Sequence, residues 1–457
     1  MSELLKKYIL FFYLFIITYK FILLLNFKKI EINKNYLIIQ KNLNLSFNNN
    51  IKKKLRIGIY IYNLKNGGTQ RITSLLLNYF NKVNIFDLFV FTQQKKEENE
   101  YFIPKSIKRI IIKNCRMKIL IKQLKKNRIN ILIYQFPNYN GINILNNLKN
   151  INIIHYQHYS FFYWIYYDYC FFKSIYKAYQ NSKYIISIIP FENNYIFKKW
   201  GLNSILMNNF ITYEYNNIIP SDLSSKAILM IGRGKDKLKR YNLGVEAMEY
   251  IKIEIPDCEM KIVSNISQID YIKKLVENIN LDRNIYFTGY SSNPEIYFKN
   301  CSLHIFPTIS ESFGLVLSEA KLYGIPNILL GLDYVLISKG GIINIYDDTA
   351  ESISEEAIKV LKNTKYKKKL GNDARKSMKQ FNNHQLYLKW IKLILSIYNG
   401  EIYYKNLINQ DKKVSQRTQL NIMINQLKLL RLRKSINFTI NFSTFKIIFY
   451  ILNRYIK

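Results

Sequence analysis

Pro307-Thr-Ile-Ser-Glu311-Ser-Phe-Gly314-Leu-Val-Leu-Ser-Glu319-Ala-Lys-Leu-Tyr-Gly324-Ile-Pro326 reads as the end of a strand, a loop and a helix. Phe313, Val316, Leu317 and Ala320 recur at helical spacing and predict a buried stripe. Gly324 stands where a helix-ending C′ glycine belongs, and Pro326 follows two residues later. The helix therefore starts near Ser312 to Gly314. Its free N–H groups and the positive end of its dipole point into the loop. Gly314 has no side chain, so an anion can reach that backbone, and a phosphate is the group expected there. Two carboxylates flank the place. Glu311 lies in the loop. Glu319 lies inside the helix, about 120° from the apolar stripe at roughly 100° per residue, so it can face a cleft rather than the core. An isolated pair of glutamates so spaced is ordinarily solvated. Here strand, Ser-Glu-Ser-Phe-Gly turn, capped helix and Gly-x-Pro ending coincide, which favours a functional site.

Working outward, the segment belongs to a run of alternating elements. Ala227 to Gly232 (AILMIG) is a buried strand and Leu243 to Ile251 a helix. Glu259 to Val263, Asn284 to Gly289 and Leu303 to Pro307 are strands; Ile269 to Asn278 and Pro294 to Lys299 are helices. The same pattern occurs earlier. Leu55 to Tyr62 is a strand, Gly67-Gly68 a glycine loop and Ile72 to Phe80 a helix. Asn130 to Gln135, Asn152 to Gln157 and Tyr184 to Ile189 are further strands. Strands alternating with helices predict mainly parallel sheets with right-handed crossovers. Two such α/β domains, joined near 211–226, leave an interdomain cleft where ligands bind.

Two domains also suit the length of 457 residues. The expected organisation is a hydrophobic membrane-associating helix (1–30), a linker (31–54), an N-terminal Rossmann-like domain (55–220), a C-terminal Rossmann-like domain (221–381), a crossover helix (382–400) and a basic amphipathic tail (401–457). Ile, Asn, Lys, Tyr and Phe dominate, as an AT-rich genome would give, so Asn-rich stretches are no evidence of function. The formal charge of +37 fits codon bias or an anionic membrane surface. Nucleic acid is not the expected partner, because the aromatics lie in apolar, core-like runs rather than on a stacking platform.

The four cysteines, Cys115, Cys170, Cys258 and Cys301, form no CxxC pair or metal motif, which fits free thiols in a reducing compartment. Tyr8 to Phe27 has about the length of a membrane span but is interrupted by Lys20. It is read as a helix lying in the bilayer interface, or as a span with Lys20 snorkelling. The basic tail, with Lys428, Arg431, Arg433 and Lys434 before the aromatic stretch Phe442 to Tyr455, suits the same surface.

A second constellation follows the first strand of the second domain: Ile231-Gly232-Arg233-Gly-Lys-Asp-Lys-Leu-Lys239-Arg240. Arg233 offers a fork to two oxygens and Lys239 a point charge, so the pair could clamp a diphosphate.

The order GG(T)QR, GR(x5)K and EsFGLxxxEAxxxGxP resembles the GT-B-fold retaining glycosyltransferases of the group 1, or family 4, type, over roughly residues 55 to 400. The resemblance implies that Arg233 and Lys239 hold the donor diphosphate and that Glu319 binds its ribose. Glu311 lies near the transferred sugar, and Phe313, Gly314 and Leu315 supply backbone over sugar and phosphate. Gly67 and Gly68 match the first-domain glycine loop near donor phosphate and acceptor. Tyr290, after Thr288-Gly289, matches the contact to the nucleotide base. One first-domain histidine contacts the donor sugar in this family; His158, nearer the strand end, is preferred to His155, which is read as a core histidine. The glycine-rich turn usual after the second strand is replaced by Lys261-Ile-Val-Ser264-Asn265-Ile266. Ser302 replaces a usual acidic residue and is read as structural.

The implied activity is transfer of a sugar, a hexose by expectation, from a nucleotide sugar to a glycan or lipid-linked acceptor in cell-envelope polysaccharide or lipopolysaccharide synthesis. UDP is the favoured nucleotide, no metal or other cofactor is required, and the place of action is the cytoplasmic side of a membrane, peripheral or single-anchored. The competing reading is an inactive membrane-associated scaffold of the same fold, or an anion-binding protein.

Overall fold

Strands that are apolar along their whole length, rather than alternately, must be covered on both faces. The computed structural model covers them so. It describes residues 54–400 apart from 66, 83–84, 136–138, 162–168, 234–236, 292, 309–310, 331–338, 346 and 348. The expected hydrophobic helix, nearly all of the linker and the basic tail lie outside the described residues. No helix among the described residues is long and apolar enough to cross a membrane.

The first sheet contains β1 (Leu55–Ile61), β2 (Phe86–Thr92), β3 (Lys108–Ile111), β4 (Ile131–Tyr134), β5 (Asn152–Tyr156), β6 (Tyr184–Ser187) and β7 (Ile205–Leu206), in the order β3-β2-β1-β4-β5-β6-β7. Its helices are α1 (Gly68–Asn81), α2 (Met117–Lys126), α3 (Tyr139–Asn146), α4 (Tyr169–Tyr179) and α5 (Pro190–Trp200). The second sheet contains β8 (Ala227–Ile231), β9 (Glu259–Val263), β10 (Ile285–Phe287), β11 (Leu303–Phe306), β12 (Asn327–Leu330) and β13 (Ile342–Ile345), in the order β10-β9-β8-β11-β12-β13. With it go α6 (Tyr241–Glu254), α7 (Asp270–Asn278), α8 (Glu295–Lys299), α9 (Leu315–Leu322), α10 (Ala350–Lys362) and α11 (Thr364–Ser377). All pairings in the second sheet are parallel, and so are β1–β4, β2–β3, β4–β5, β5–β6 and β6–β7 in the first.

One face of the second sheet packs Ile228, Met230, Ile262 and Ile305 against Val245, Met248 and Ile353. The other packs Leu229 and Val263 against Phe298, Ala320 and Tyr323. Strand order reverses beside β1 and again beside β8, and each reversal opens a crevice at the carboxyl ends of the strands.

The chain crosses between the sheets through residues 207–220 and returns before α12 (Asn383–Tyr398), which packs on the first domain: the Trp390 ring lies 5.1 Å from Tyr156 and 6.2 Å from Phe80. Asn382 caps that helix, accepting from the Gln385 N–H at 2.9 Å. Asn383 then binds both backbone groups of Ile211, accepting from its N–H and donating to its carbonyl, each at 2.9 Å. One side chain thus ties the two crossings together.

The structure departs from the sequence expectations in a few elements. α1 begins at Gly68 rather than Ile72, since the Arg71 N–H donates to the Gly67 carbonyl at 2.9 Å and closes a first turn there. β2, β3, β7, β12, β13, α10 and α11 are additional to the elements read from sequence.

Candidate functional site

The crevice of the second sheet is built from the segments after β8 and β11. Lys239 ends a short 3₁₀ turn (Lys237–Lys239) and ion-pairs with Glu311 Oε1. Both side chains are 17% exposed, so the pair is largely withdrawn from solvent and strengthened by it. Thr308 Oγ1 lies 3.5 Å from the same carboxylate oxygen, and the Lys239 ammonium lies 5.2 Å from the centre of the Phe306 ring. Arg233 stands exposed at the end of β8. Its charge reaches the first domain: burial lifts the Tyr159 phenol above its ordinary range while Arg233 pulls it down.

Gly314 caps α9 in a left-handed conformation (φ 66°, ψ 69°), which a side chain would strain. The helix proper starts at Leu315, one residue beyond the expected range, with Gly314 as its cap. The stripe falls where its spacing put it, with Phe313, Leu317 and Ala320 buried and Val316 half-buried. Phe313 turns its ring away from the crevice onto Phe381 at the second crossing, centroids 5.5 Å apart. Only its backbone remains beside the loop. Gly324 ends the helix as expected, left-handed at φ 71°.

Two contacts join this loop to the first domain. Ser312 Oγ donates to the His158 carbonyl at 2.7 Å. Leu315 Cδ1 lies 3.6 Å from where a Cβ on Gly68 would stand. Gly67 has extended backbone (φ −174°, ψ 161°) and Gly68 is exposed, so neither conformation demands glycine. What the two glycines provide is bare backbone opposite the start of α9.

His158 is 7% exposed, and its Nε2 has no hydrogen-bond partner among the described residues. Its ring leans on Tyr156, centroids 4.0 Å apart. Burial lowers its pKa to about 3, so the ring is neutral at physiological pH. His155 is a core residue: its Nε2 pairs with Asn146 Oδ1 at 2.8 Å and it packs between Tyr134 and Tyr179.

Glu319 differs from its expected setting. It is only 4% exposed, where an open, cleft-facing carboxylate was expected. Burial lifts its carboxyl above the usual carboxylate range, and Arg71 of α1 acts the other way. Arg71 received no role from sequence, although it ends the GGTQR stretch. Its guanidinium carbon lies 5.4 Å from the Tyr101 ring centre and 5.9 Å from that of Tyr213. Tyr290 is half-exposed beyond Gly289. Ser264, in the replaced turn, is buried, with its hydroxyl lacking a partner among the described residues. Ser302 donates to the Ser225 carbonyl at 2.5 Å, a structural tie at the far end of β11. Among the described residues no three His, Cys, Asp or Glu side chains gather in one place.

Residues 214–377 match the sequence model of the family described as Glycosyl transferases group 1. The poly(glycerol-phosphate) alpha-glucosyltransferase of Bacillus subtilis is 25% identical over 185 residues, 38% of this chain and 27% of that protein. The chain spans between about a quarter and a half of the length of the curated relatives it matches. Among solved structures, the sucrose-phosphate synthase of Thermosynechococcus elongatus superposes with a TM-score of 0.63 at 15% identity, covering 76% of this chain and all of that one. HepE of Anabaena, solved with UDP-glucose, gives 0.61 at 11% identity over 75% of this chain and all of that one. Two parallel α/β sheets facing a crevice built from the second domain's glutamate loop are the GT-B fold, within which residues 214–377 are similar to the glycosyl transferases group 1 family.

Proposed function

We propose that this protein transfers a sugar from a nucleoside diphosphate sugar, UDP being the favoured nucleotide, to a hydroxyl of a glycan or lipid-linked acceptor of the cell envelope, with retention at the anomeric carbon. The observation that carries the reading is the Lys239–Glu311 pair at the start of α9, with exposed Arg233 on the same segment as Lys239 and with His158 tied to the same loop. Lys239 and Glu311 satisfy each other. A diphosphate entering between Arg233, Lys239 and the α9 backbone takes Glu311's place on Lys239. Glu311 is then released toward the hydroxyls of the sugar.

The reaction breaks the bond between the anomeric carbon and the diphosphate oxygen. Negative charge grows on the leaving phosphate, where the two cations and the helix N-terminus oppose it. The acceptor oxygen bonds to the same face of the anomeric carbon, and its proton passes to the departing phosphate oxygen. His158, neutral by burial, contacts the sugar through Nε2 without carrying charge. Glu319 takes the ribose and Tyr290 the base. The Bacillus relative's name supports an envelope polymer as acceptor, and the UDP-glucose complex of HepE supports a UDP sugar.

Thermal stabilisation by UDP, GDP, ADP, CDP and pyrophosphate, on the unsubstituted chain and on Glu319→Ala, tests the donor site. One nucleotide is expected to stabilise well beyond pyrophosphate and to lose that margin in the variant. Equal responses to every anion would favour an inactive scaffold binding anions through its charge. An inverted product anomer by NMR would reject retention.

The charge of +37 and the basic, apolar ends support action at the cytoplasmic face of an anionic membrane, held peripherally or by one anchor. Removing residues 1–30 and 408–457 is expected to release the protein from anionic vesicles. Unchanged binding would place the anchor elsewhere.

A further inference from the structure

The turn between β9 and α7 stands where a glycine-rich turn is usual, and this chain builds it from side chains. Asn265 caps a 3₁₀ turn (Ile266–Gln268), accepting from the Ser267 N–H at 3.2 Å and from the Ser267 hydroxyl at 2.9 Å. The Ile269 N–H donates to the Ile266 carbonyl at 3.0 Å. Ile269 is fully buried, whereas Ile266 is 37% exposed. A single exposed isoleucine is ordinary on a protein surface. This one reaches over Gly289, just past the neighbouring strand β10: a Cβ on Gly289 would stand 3.9 Å from Ile266 Cδ1. Gly289 is left-handed at φ 79°, which a side chain would strain. The next residue, Tyr290, is 50% exposed. Two exposed apolar side chains from adjacent strand ends thus meet at one bare glycine.

The place is within reach of the diphosphate clamp. β9 runs between β8 and β10, and the Gly232 N–H, one residue before Arg233, donates to the Val263 carbonyl at 3.2 Å. Neighbouring strands stand about 4.8 Å apart, so β10 lies roughly 10 Å from β8. A nucleoside diphosphate can cover that span, with its phosphates at the end of β8 and its base at the ends of β9 and β10.

We propose that Ile266 is a specificity-determining residue of the donor site: its side chain lies against the flat face of the nucleobase, beside Tyr290. The inference rests on the assignment of the base to Tyr290 and adds a contact from a second strand end, which a glycine-rich turn has no side chain to make. Covering the isoleucine and the base removes apolar surface from water on both. Pyrophosphate has no base and gains nothing there. The capped turn holds Ile266 in place before a ligand arrives, so little ordering accompanies binding.

Calorimetric titration of the full chain with UDP, GDP, ADP, CDP and pyrophosphate tests this. In Ile266→Ala the tightest nucleotide is expected to bind about tenfold more weakly, as loss of a few covered methyl and methylene groups gives. Pyrophosphate affinity is expected to hold, and the spread among the four nucleotides to narrow. Ile266→Leu, which keeps the apolar bulk, is expected to retain most of the affinity. Unchanged nucleotide affinity in Ile266→Ala, beside a loss in Tyr290→Ala, would overturn the proposal and leave the base assignment standing. Equal loss of nucleotide and pyrophosphate in Ile266→Ala would also overturn it, since the turn would then act on the phosphates. Unchanged affinity in both variants would reject the base assignment itself, and no preference for any nucleotide over pyrophosphate in the unsubstituted chain would reject the donor reading beneath it.

Discussion

At the scale of single residues, the site is organised around one ion pair, Lys239 with Glu311. Lys239 and Glu311 are held together in a setting where a lone charge would be costly. Lys239→Met therefore both removes a phosphate contact and leaves Glu311 half-buried without its cation. Nucleotide affinity is expected to drop by at least tenfold, in line with roughly 1.5–3 kcal/mol for a charge-assisted hydrogen bond, and calorimetric titration would measure it. An unchanged affinity would mean that the diphosphate lies elsewhere. Gly68 offers a gentler probe. A Cβ there would meet Leu315 Cδ1 at 3.6 Å, an ordinary contact. Gly68→Ala should leave the melting temperature within a degree or two of the parent, as surface changes of under about 0.5 kcal/mol do, yet lower turnover by crowding the bare backbone.

At the scale of elements, α9 depends on a helix whose sequence does not advertise its role. α11 reads Thr-Lys-Tyr-Lys-Lys-Lys-Leu-Gly-Asn-Asp-Ala-Arg-Lys-Ser, with few apolar residues to form a stripe. It reaches the end of α9 through close backbone approach instead. A Cβ on Gly371 would stand 2.3 Å from the Gly324 carbonyl oxygen. Arg375 then spans three carbonyls, donating to Leu322 at 2.7 Å, Tyr215 at 3.2 Å and Ile218 at 2.8 Å, with its guanidinium 4.6 Å from the Tyr215 ring centre. The end of the glutamate helix and the first crossing are thereby fixed to one side chain. Because the obstacle at Gly371 is backbone, Gly371→Ala is expected to cost about 1–3 kcal/mol as an overpacked contact, readable by urea denaturation. A change of under half a kcal/mol would show that α11 can move away freely.

At the scale of the whole molecule, three buried histidines set the response to acid. Burial lowers His155 and His158 to about 3 and His304 to about 4, from 6.5. The unfolded chain therefore takes up protons first as the pH falls. Their contribution is full above about pH 6.5 and is lost progressively toward pH 4, by up to about 1.4 kcal/mol per pH unit for each histidine. Glu319, whose carboxyl is raised, works in the opposite sense but is a single group. Stability is expected to fall between pH 7 and pH 5. In His304→Gln, which removes the ring paired with Asn327, the slope should be visibly shallower. Flat stability over that interval would mean that the rings are hydrated in the folded protein.

The sequence by itself determined the two-domain α/β fold, because strands buried on both faces must be apolar throughout and helices between them must carry a stripe. Leu317 and Ala320, the left-handed Gly324 and the strand Glu259–Val263 fall where that logic put them. It also fixed the local geometry of the glutamate loop, since a glycine cap and a Gly-x-Pro ending act over a few residues. β3 was beyond it: Lys-Arg-Ile-Ile is half-exposed and owes its extended form to its pairing with β2. The polar α11 was beyond it too, since it is held by close approach at Gly371 and by Arg375 rather than by a long apolar stripe. Only the tertiary structure decided that Glu319 is buried, that Lys239 holds Glu311 and that Ser312 reaches the His158 carbonyl. These partners are far apart in the chain, and no local pattern encodes a meeting that depends on how separate strands pack within a domain or, for Ser312 and His158, how two domains pack.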